Sequence, residues 1–158
     1  MAVDYCAKAD YSDSDRDDLC ILAENYIKEK KPDLFAICWD QPDHEGHGKG
    51  WGSPEYHSVV RQMDEYIARI IQATKDAGIY DDTVFIVTAD HGGINHGHGS
   101  ISLNEMETPF IIAGKGIRKG GEFQESMMQF DVAATAAEVF RLERPQVWTG
   151  RPVMSVFK

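Results

Sequence analysis

The strongest constraint on the fold is a histidine- and glycine-rich stretch, residues 88–100 (TADHGGINHGHGS), which follows the apolar run of residues 83–87 (TVFIV). That run lacks polar alternation and is rich in β-branched residues, which is typical of a strand buried on both faces in a parallel sheet. In open α/β sheets, ligands bind beyond the carboxyl ends of the strands. Asp90 and His91 follow such an end and offer metal-binding groups. A glycine-rich turn whose histidines only form hydrogen bonds is the alternative interpretation at this point.

A second segment repeats the same pattern earlier in the chain. The apolar run of residues 34–39 (LFAICW) predicts another buried strand, and residues 40–48 (DQPDHEGHG) after it are rich in carboxylates and imidazoles. We expect the two strands to be adjacent in a chiefly parallel sheet, with both polar segments at one edge. Because neither polar segment contains a cysteine, this donor set suits zinc or manganese in a catalytic site.

Taken together, these motifs resemble those of the alkaline phosphatase superfamily. The matching residues are Asp43 with Gly46 and His47, then residues 88–92 after a long helix, and then residues 97–99. The similarity is greatest to the nucleotide pyrophosphatase/phosphodiesterase branch and to related bacterial sulfatase-like hydrolases. The resemblance implies an α/β fold of alkaline phosphatase type, with a mostly parallel sheet flanked by helices.

The resemblance also implies a set of metal ligands. Asp43, His47 and His98 would hold one divalent ion, while Asp90 and His91 would contribute to a second. We expect zinc, with manganese as the alternative. The implied activity is metal-dependent hydrolysis of a small anionic phosphate ester, either a phosphodiester, a pyrophosphate or a phosphomonoester.

Two parts of the family's active site have no match in this chain. The family completes its second metal with an Asp from an early strand and uses a Thr or Ser near a helix start as nucleophile, and we find neither here. No catalytic residue is therefore assigned. We expect residues 1–158 to be the C-terminal portion of a catalytic domain, with the N-terminal part of its own fold missing, and to be inactive alone.

Three alternative functions are also consistent with the sequence. A sulfatase of the same superfamily typically has Asp-Asn where this chain has Asp90 and His91. A phosphoglycerate mutase shares both metal motifs. A catalytically inactive metal-binding fragment is favoured by the missing nucleophile. Within the loop, His98 is preferred over His96 as a ligand because its flanking glycines let it approach a metal and match the family.

Length, charge and cysteine content narrow the class of protein. A chain of 158 residues with 42% hydrophobic content is long enough for a single domain with its own core. The net charge of −10 disfavours binding to a nucleic-acid backbone. No signal peptide and no apolar run of membrane-spanning length are predicted in residues 1–158, and an export signal could lie in the missing N-terminal part, so the compartment stays open. No disulfide framework is predicted, and Cys38 is expected to be buried in its strand.

The remaining elements follow from local patterns. Helices are predicted over residues 15–30, 54–77 and 132–142, and further strands over residues 110–113 and 123–128. Trp51, in a glycine-rich segment, is expected to pack on the domain rather than to stack on a substrate.

Overall fold

The computed structural model describes residues 6–7 and 15–158. Its contacts divide the chain into two compact units. The first consists of the described residues up to Tyr80 together with Gly93–Gly99, and the second of Asp81–Gly92 and Ser100–Lys158. No helix in the described ranges combines the length and the apolar character that crossing a membrane requires.

Three helices form the first unit, namely α1 (Asp15–Lys30), α2 (Gln41–Lys49) and α3 (Pro54–Asp76). Helix α3 has the start and stop signals that its sequence predicts. The Ser53 side chain accepts a hydrogen bond from the Tyr56 amide, and Gly78 follows the helix with a φ of 73°. Helices α1 and α3 pack through two apolar clusters and an ion pair, Arg69 Nε to Glu24 Oε1 at 2.6 Å. The predicted bounds of α1 and α3 are confirmed to within one residue.

The predicted strand over residues 34–39 is wrong. The segment has no regular secondary structure and forms no β-bridge with another described residue. Phe35 and Trp39 pack against the clusters of the first unit, whereas Leu34 is 72% exposed and Cys38 is exposed. The prediction of a buried Cys38 is therefore also wrong. The physical reason is that strand formation needs hydrogen bonds from a neighbouring strand, which composition alone does not supply.

The sheet lies in the second unit and is antiparallel. Strand β1 (Val84–Thr88) pairs with β2 (Phe110–Gly114), in a register that sets Val84 opposite Gly114 and Thr88 opposite Phe110. The α/β composition is as predicted. A parallel pairing of residues 34–39 with residues 83–88 is not shown: in the described part of the chain the first segment forms no strand, and the sheet consists of β1 and β2. Residues 123–128, predicted as an edge strand, are irregular.

The second unit also contains the short helix α4 (Leu103–Met106), helix α5 (Asp131–Val139) and a 3-10 turn at Met154–Val156, while a 3-10 turn at Tyr80–Asp82 links the two units along the chain. Ile117, Val153 and Val156 form its apolar cluster. Helix α5 ends three residues earlier than predicted, at Val139. The buried carboxylate of Asp131 accepts hydrogen bonds from the Met128 and Arg151 amides, which ties the C-terminal segment to α5.

Candidate metal centre

Helix α2 places two of the predicted ligands on one face. Asp43 lies in its first turn and His47 in its last, four residues apart, and residues at this spacing are neighbours on a helix surface. The sequence indicated only an acidic turn here, because Pro42, Gly46 and Gly48 are unfavourable inside helices. In the structure the proline occupies the first turn of the helix, where its missing N–H costs nothing.

A tight turn delivers the third predicted ligand. Ile94 and Gly97 hydrogen-bond to each other across the turn in both directions, at 3.0 and 3.1 Å. The Trp51 amide, just beyond α2, donates to the Asn95 carbonyl at 2.8 Å. His98 follows directly, so its backbone is held against the end of α2 by main-chain hydrogen bonds. All of these residues belong to the first unit.

The side chains of Asp43, His47 and His98 converge on a common point. Asp43 Oδ1 lies 3.3 Å from His98 Nε2 and 3.5 Å from His47 Nε2, and one ligand atom from each residue lies within 4.8 Å of the others. These three residues are called the triad below. One carboxylate and two imidazoles leave further coordination positions for water or substrate, as in catalytic zinc sites. The donor set therefore fits a divalent transition metal.

The orientation of the His47 ring is fixed by the backbone. Its Nδ1 lies 2.9 Å from the His96 carbonyl oxygen. A carbonyl only accepts hydrogen bonds, so Nδ1 carries the hydrogen and the lone pair of the neutral ring is on Nε2, facing Asp43. Anchoring the second nitrogen of a metal-binding histidine in this way is the usual means of orienting the ligand.

Trp51 forms one wall of the triad. Its ring centroid lies 5.0 Å from that of His47 and 5.8 Å from that of His98. It also covers Gly46 and Gly93, since a Cβ on either glycine would come within 2.6 and 2.1 Å of the indole. The prediction that Trp51 packs on the domain is confirmed. Burial, with a smaller effect from the negative charge of Asp43, raises the pKa of the nearby Tyr56 phenol.

Asp90 and His91 lie in the second unit, just beyond β1. His91 Nδ1 is 2.8 Å from the Gly92 carbonyl, and its other ring nitrogen, Nε2, lies 3.8 Å from Asp90 Oδ2. The Asp90 side chain is 89% exposed. We call these two residues the pair. Within the described ranges, only the triad gathers three ligand atoms.

A buried carboxylate that the sequence interpretation missed supports the loop around the pair. The Gly92 amide donates to the backbone carbonyl of Glu105, which is only 7% exposed. The Glu105 carboxylate accepts hydrogen bonds from the hydroxyls of Ser100 and Ser102, and these, led by Ser100, lower its pKa to about 2. A Ser at the helix N-cap with a Glu three residues later is a capping-box pattern, so the sequence carried a signal for this arrangement.

The structure thus brings three of the five predicted ligands together, and places the other two side by side. The role of all five as metal ligands stays a prediction. His96, the rival of His98, is not part of the triad.

The sequence matches the model of a known protein family and several known proteins. A family model described as type I phosphodiesterase / nucleotide pyrophosphatase matches residues 4–120. The multifunctional alkaline phosphatase superfamily protein PehA of Trinickia caryophylli is 29% identical over 106 residues, 63% of this chain and 21% of that protein. A 2,3-bisphosphoglycerate-independent phosphoglycerate mutase of Rhodopirellula baltica is 29% identical over 140 residues, 81% of this chain and 23% of the mutase.

Human ectonucleotide pyrophosphatase/phosphodiesterase family member 5 is 30% identical over 71 residues, which cover 45% of this chain and 15% of that protein. The chain spans less than a quarter of the length of each of these three relatives.

Proposed function

Because the chain belongs to the type I phosphodiesterase/nucleotide pyrophosphatase family, we propose that it is part of a metal-dependent hydrolase of phosphate esters. The substrate would be a small anionic phosphodiester, pyrophosphate or phosphomonoester. The observation that carries the proposal is the convergence of Asp43, His47 and His98, since three ligand atoms within 4.8 Å match the donor set of a catalytic metal site.

The triad would hold one divalent ion, and the pair would contribute to a second. Zinc suits one carboxylate and two imidazoles best, and manganese is the alternative. A bound ion would supply Lewis acidity toward a phosphate oxygen. The residues of the chain would set its position: Asp43 contributes negative charge, while His47 and His98 contribute neutral nitrogen donors.

The charge balance supports a small anionic substrate only when metal is bound. The chain carries a net charge of −10, and Asp43 adds a carboxylate at the centre of the site. An empty triad would therefore repel phosphate, whereas divalent cations would reverse the local field. Phosphate binding that depends strictly on metal is thus a signature of the proposed function.

Neither of the hydroxyls nearest the two motifs is suited to act as nucleophile. Ser100 donates its hydroxyl to Glu105, and Thr88 ends strand β1 with its hydroxyl 3.4 Å from the Ala89 carbonyl. We propose that the chain acts within a longer catalytic domain and does not turn over phosphate esters at an enzymatic rate alone. Covalent catalysis needs a hydroxyl held and activated beside the reacting phosphate.

A phosphoglycerate mutase is the second candidate. It is favoured by one observation, the alignment with the Rhodopirellula baltica mutase over 81% of this chain. The same ligands would serve, but the phosphoryl group would pass between hydroxyls of a phosphoglycerate instead of to water. A sulfatase is less favoured because the resemblance places His91 where sulfatases have Asn.

The test combines metal and anion binding. Zinc and manganese are titrated into metal-free protein by calorimetry, followed by inorganic phosphate, 3-phosphoglycerate or sulfate. We expect one strong metal site, and phosphate binding only after metal loading. Phosphate binding without metal, or preference for sulfate, would contradict the proposal, and selective binding of 3-phosphoglycerate would favour the mutase.

Turnover is measured on the same samples with bis-p-nitrophenyl phosphate and p-nitrophenyl phosphate. We expect no enzymatic rate in either case. Rapid hydrolysis that is lost in His91→Ala would show that the chain is sufficient for catalysis, and Thr88 and Ser100 would then be the hydroxyls to substitute.

A further inference from the structure

His47 and His96 make a reciprocal pair of side-chain-to-backbone hydrogen bonds. His47 Nδ1 lies 2.9 Å from the His96 carbonyl, and His96 Nδ1 lies 3.1 Å from the His47 carbonyl. Both acceptors are carbonyl oxygens, so both rings donate from Nδ1. The first bond orients a triad ligand. The second is donated by a histidine that is not a member of the triad.

The second bond replaces one that the helix gives up. In a continuing α2 the Trp51 amide would donate to the His47 carbonyl, four residues back. Instead it donates to the Asn95 carbonyl at 2.8 Å. The last carbonyls of a helix need such partners, and the His96 ring supplies one to His47. Two hydrogen bonds therefore link the end of α2 to the turn of residues 94–97. One runs from the Trp51 amide to the Asn95 carbonyl, and the other from the His96 ring to the His47 carbonyl.

Close packing reinforces this junction. Gly50 adopts a φ of 96°, and a Cβ there would lie 3.2 Å from the Asn95 carbonyl oxygen and 3.5 Å from His96 Cε1. The turn therefore lies directly against the end of α2. His98 follows His96 by two residues, so a displacement of the turn would move His98 away from Asp43 and His47.

We propose that His96 is a positioning residue for the triad. Its ring ties the turn of residues 94–97 to the end of α2 and so sets the separation between His47 and His98. The proposal rests on the proposed function, because it assigns His96 to the organisation of the same metal centre. The role requires a hydrogen-bond donor at the place of Nδ1 and does not require an imidazole.

That requirement makes the test specific. The side-chain amide of Asn can place a donor near the position of His Nδ1, whereas that of Gln reaches the position of Nε2. Substitutions that disturb the support of a metal ligand weaken metal binding by about 10–100-fold. We therefore expect His96→Ala and His96→Gln to lower zinc affinity by about tenfold, and His96→Asn to stay close to wild type. His44→Ala, an exposed histidine on α2, is the control and should leave affinity unchanged.

A second measurement needs no metal. Amide hydrogen exchange of Trp51 and Gly97 in the metal-free 158-residue protein should accelerate in His96→Ala and His96→Gln but not in His96→Asn. If exchange and zinc affinity in His96→Ala both match wild type, the proposal is overturned. Equal loss in His96→Asn and His96→Gln would also overturn it. If wild-type protein binds no zinc, the proposed function fails, and the exchange data alone decide whether the His96 ring orders the turn.

Discussion

The triad and the pair contain the same two residue types but differ in how the backbone presents them. In both, a histidine Nδ1 is bound to a backbone carbonyl, at 2.9 Å for His47 and 2.8 Å for His91, so Nε2 is the ring nitrogen nearest the carboxylate. On helix α2 the four-residue spacing sets Asp43 and His47 on one face, and a turn adds His98. Asp90 and His91 are consecutive beyond strand β1 and lie side by side, and among the described residues no third ligand atom joins them. The triad therefore offers three potential ligand atoms within the first unit, whereas the pair offers two in the second.

The largest expected effect is the loss of zinc affinity when one ligand of the triad is removed. His47→Ala should lower zinc affinity by more than about 100-fold, because losing a ligand costs more than losing its support, which costs about 10–100-fold. Elemental analysis after dialysis and calorimetric titration measure it. His44→Ala, on the same helix, should retain its zinc. Equal metal content in the His47 variant would refute the assignment of the triad.

A second prediction concerns the wall of the triad. Gly46→Ala places a methyl group 2.6 Å from the Trp51 ring, so the indole must move. We expect a loss of about 1–3 kcal/mol in the free energy of unfolding, as for other overpacked sites, with weaker zinc binding. Gly48→Ala, in the same helix and facing open space, should instead stabilise the protein by about 0.5–1 kcal/mol. Urea denaturation compares the two, and equal behaviour would contradict the packing role of Trp51.

A third prediction concerns the support of the pair. The pKa of Glu105 is lowered from 4.5 to about 2, so its ionised form stabilises the fold above about pH 4.5, and this contribution is lost as the pH falls toward 2. Urea denaturation at about pH 5 and about pH 3 should show a smaller loss of stability in Glu105→Gln than in wild type. Glu107→Gln removes the same charge at a nearby residue and should keep the wild-type dependence of stability on pH. An identical acid response in Glu105→Gln would contradict the role of this carboxylate.

The smallest expected effect is at the pair itself. His91→Ala should leave the strong zinc site of the triad unchanged and remove only weaker binding, because two ligands hold a metal poorly. Calorimetry at high zinc concentration measures zinc binding at both the triad and the pair. A loss of the strong site in this variant would mean that the triad and the pair do not bind zinc independently.

The sequence predicted best what local signals determine. The prediction of helix α3 is correct because its cap, its apolar spacing and Gly78 all lie within one segment. The family resemblance was also correct, since it rests on short motifs that survive without knowledge of the packing. The choice of His98 over His96 agrees with the observed triad, although its role as a ligand is untested.

What failed depends on contacts between distant segments. Residues 34–39 have the composition of a buried strand, but pairing requires a partner that composition does not reveal. Helix α2 was missed because Gly46 is unfavourable in a helix, yet here a glycine is needed beneath Trp51. The support of His47 by the His96 backbone joins residues 49 positions apart and leaves no local pattern.

The discontinuity of the first unit has a consequence for biosynthesis. Gly93–Gly99 belongs to this unit, although Asp81–Gly92 of the second unit precedes it in the chain. Helices α1 to α3 can pack as they leave the ribosome, since chains fold progressively at a synthesis rate of about 5–20 residues per second. Until His98 emerges, a metal ion would meet only Asp43 and His47. If the triad binds metal as proposed, we expect stable binding only after the turn has closed on α2, and we expect an unfinished chain not to retain the ion.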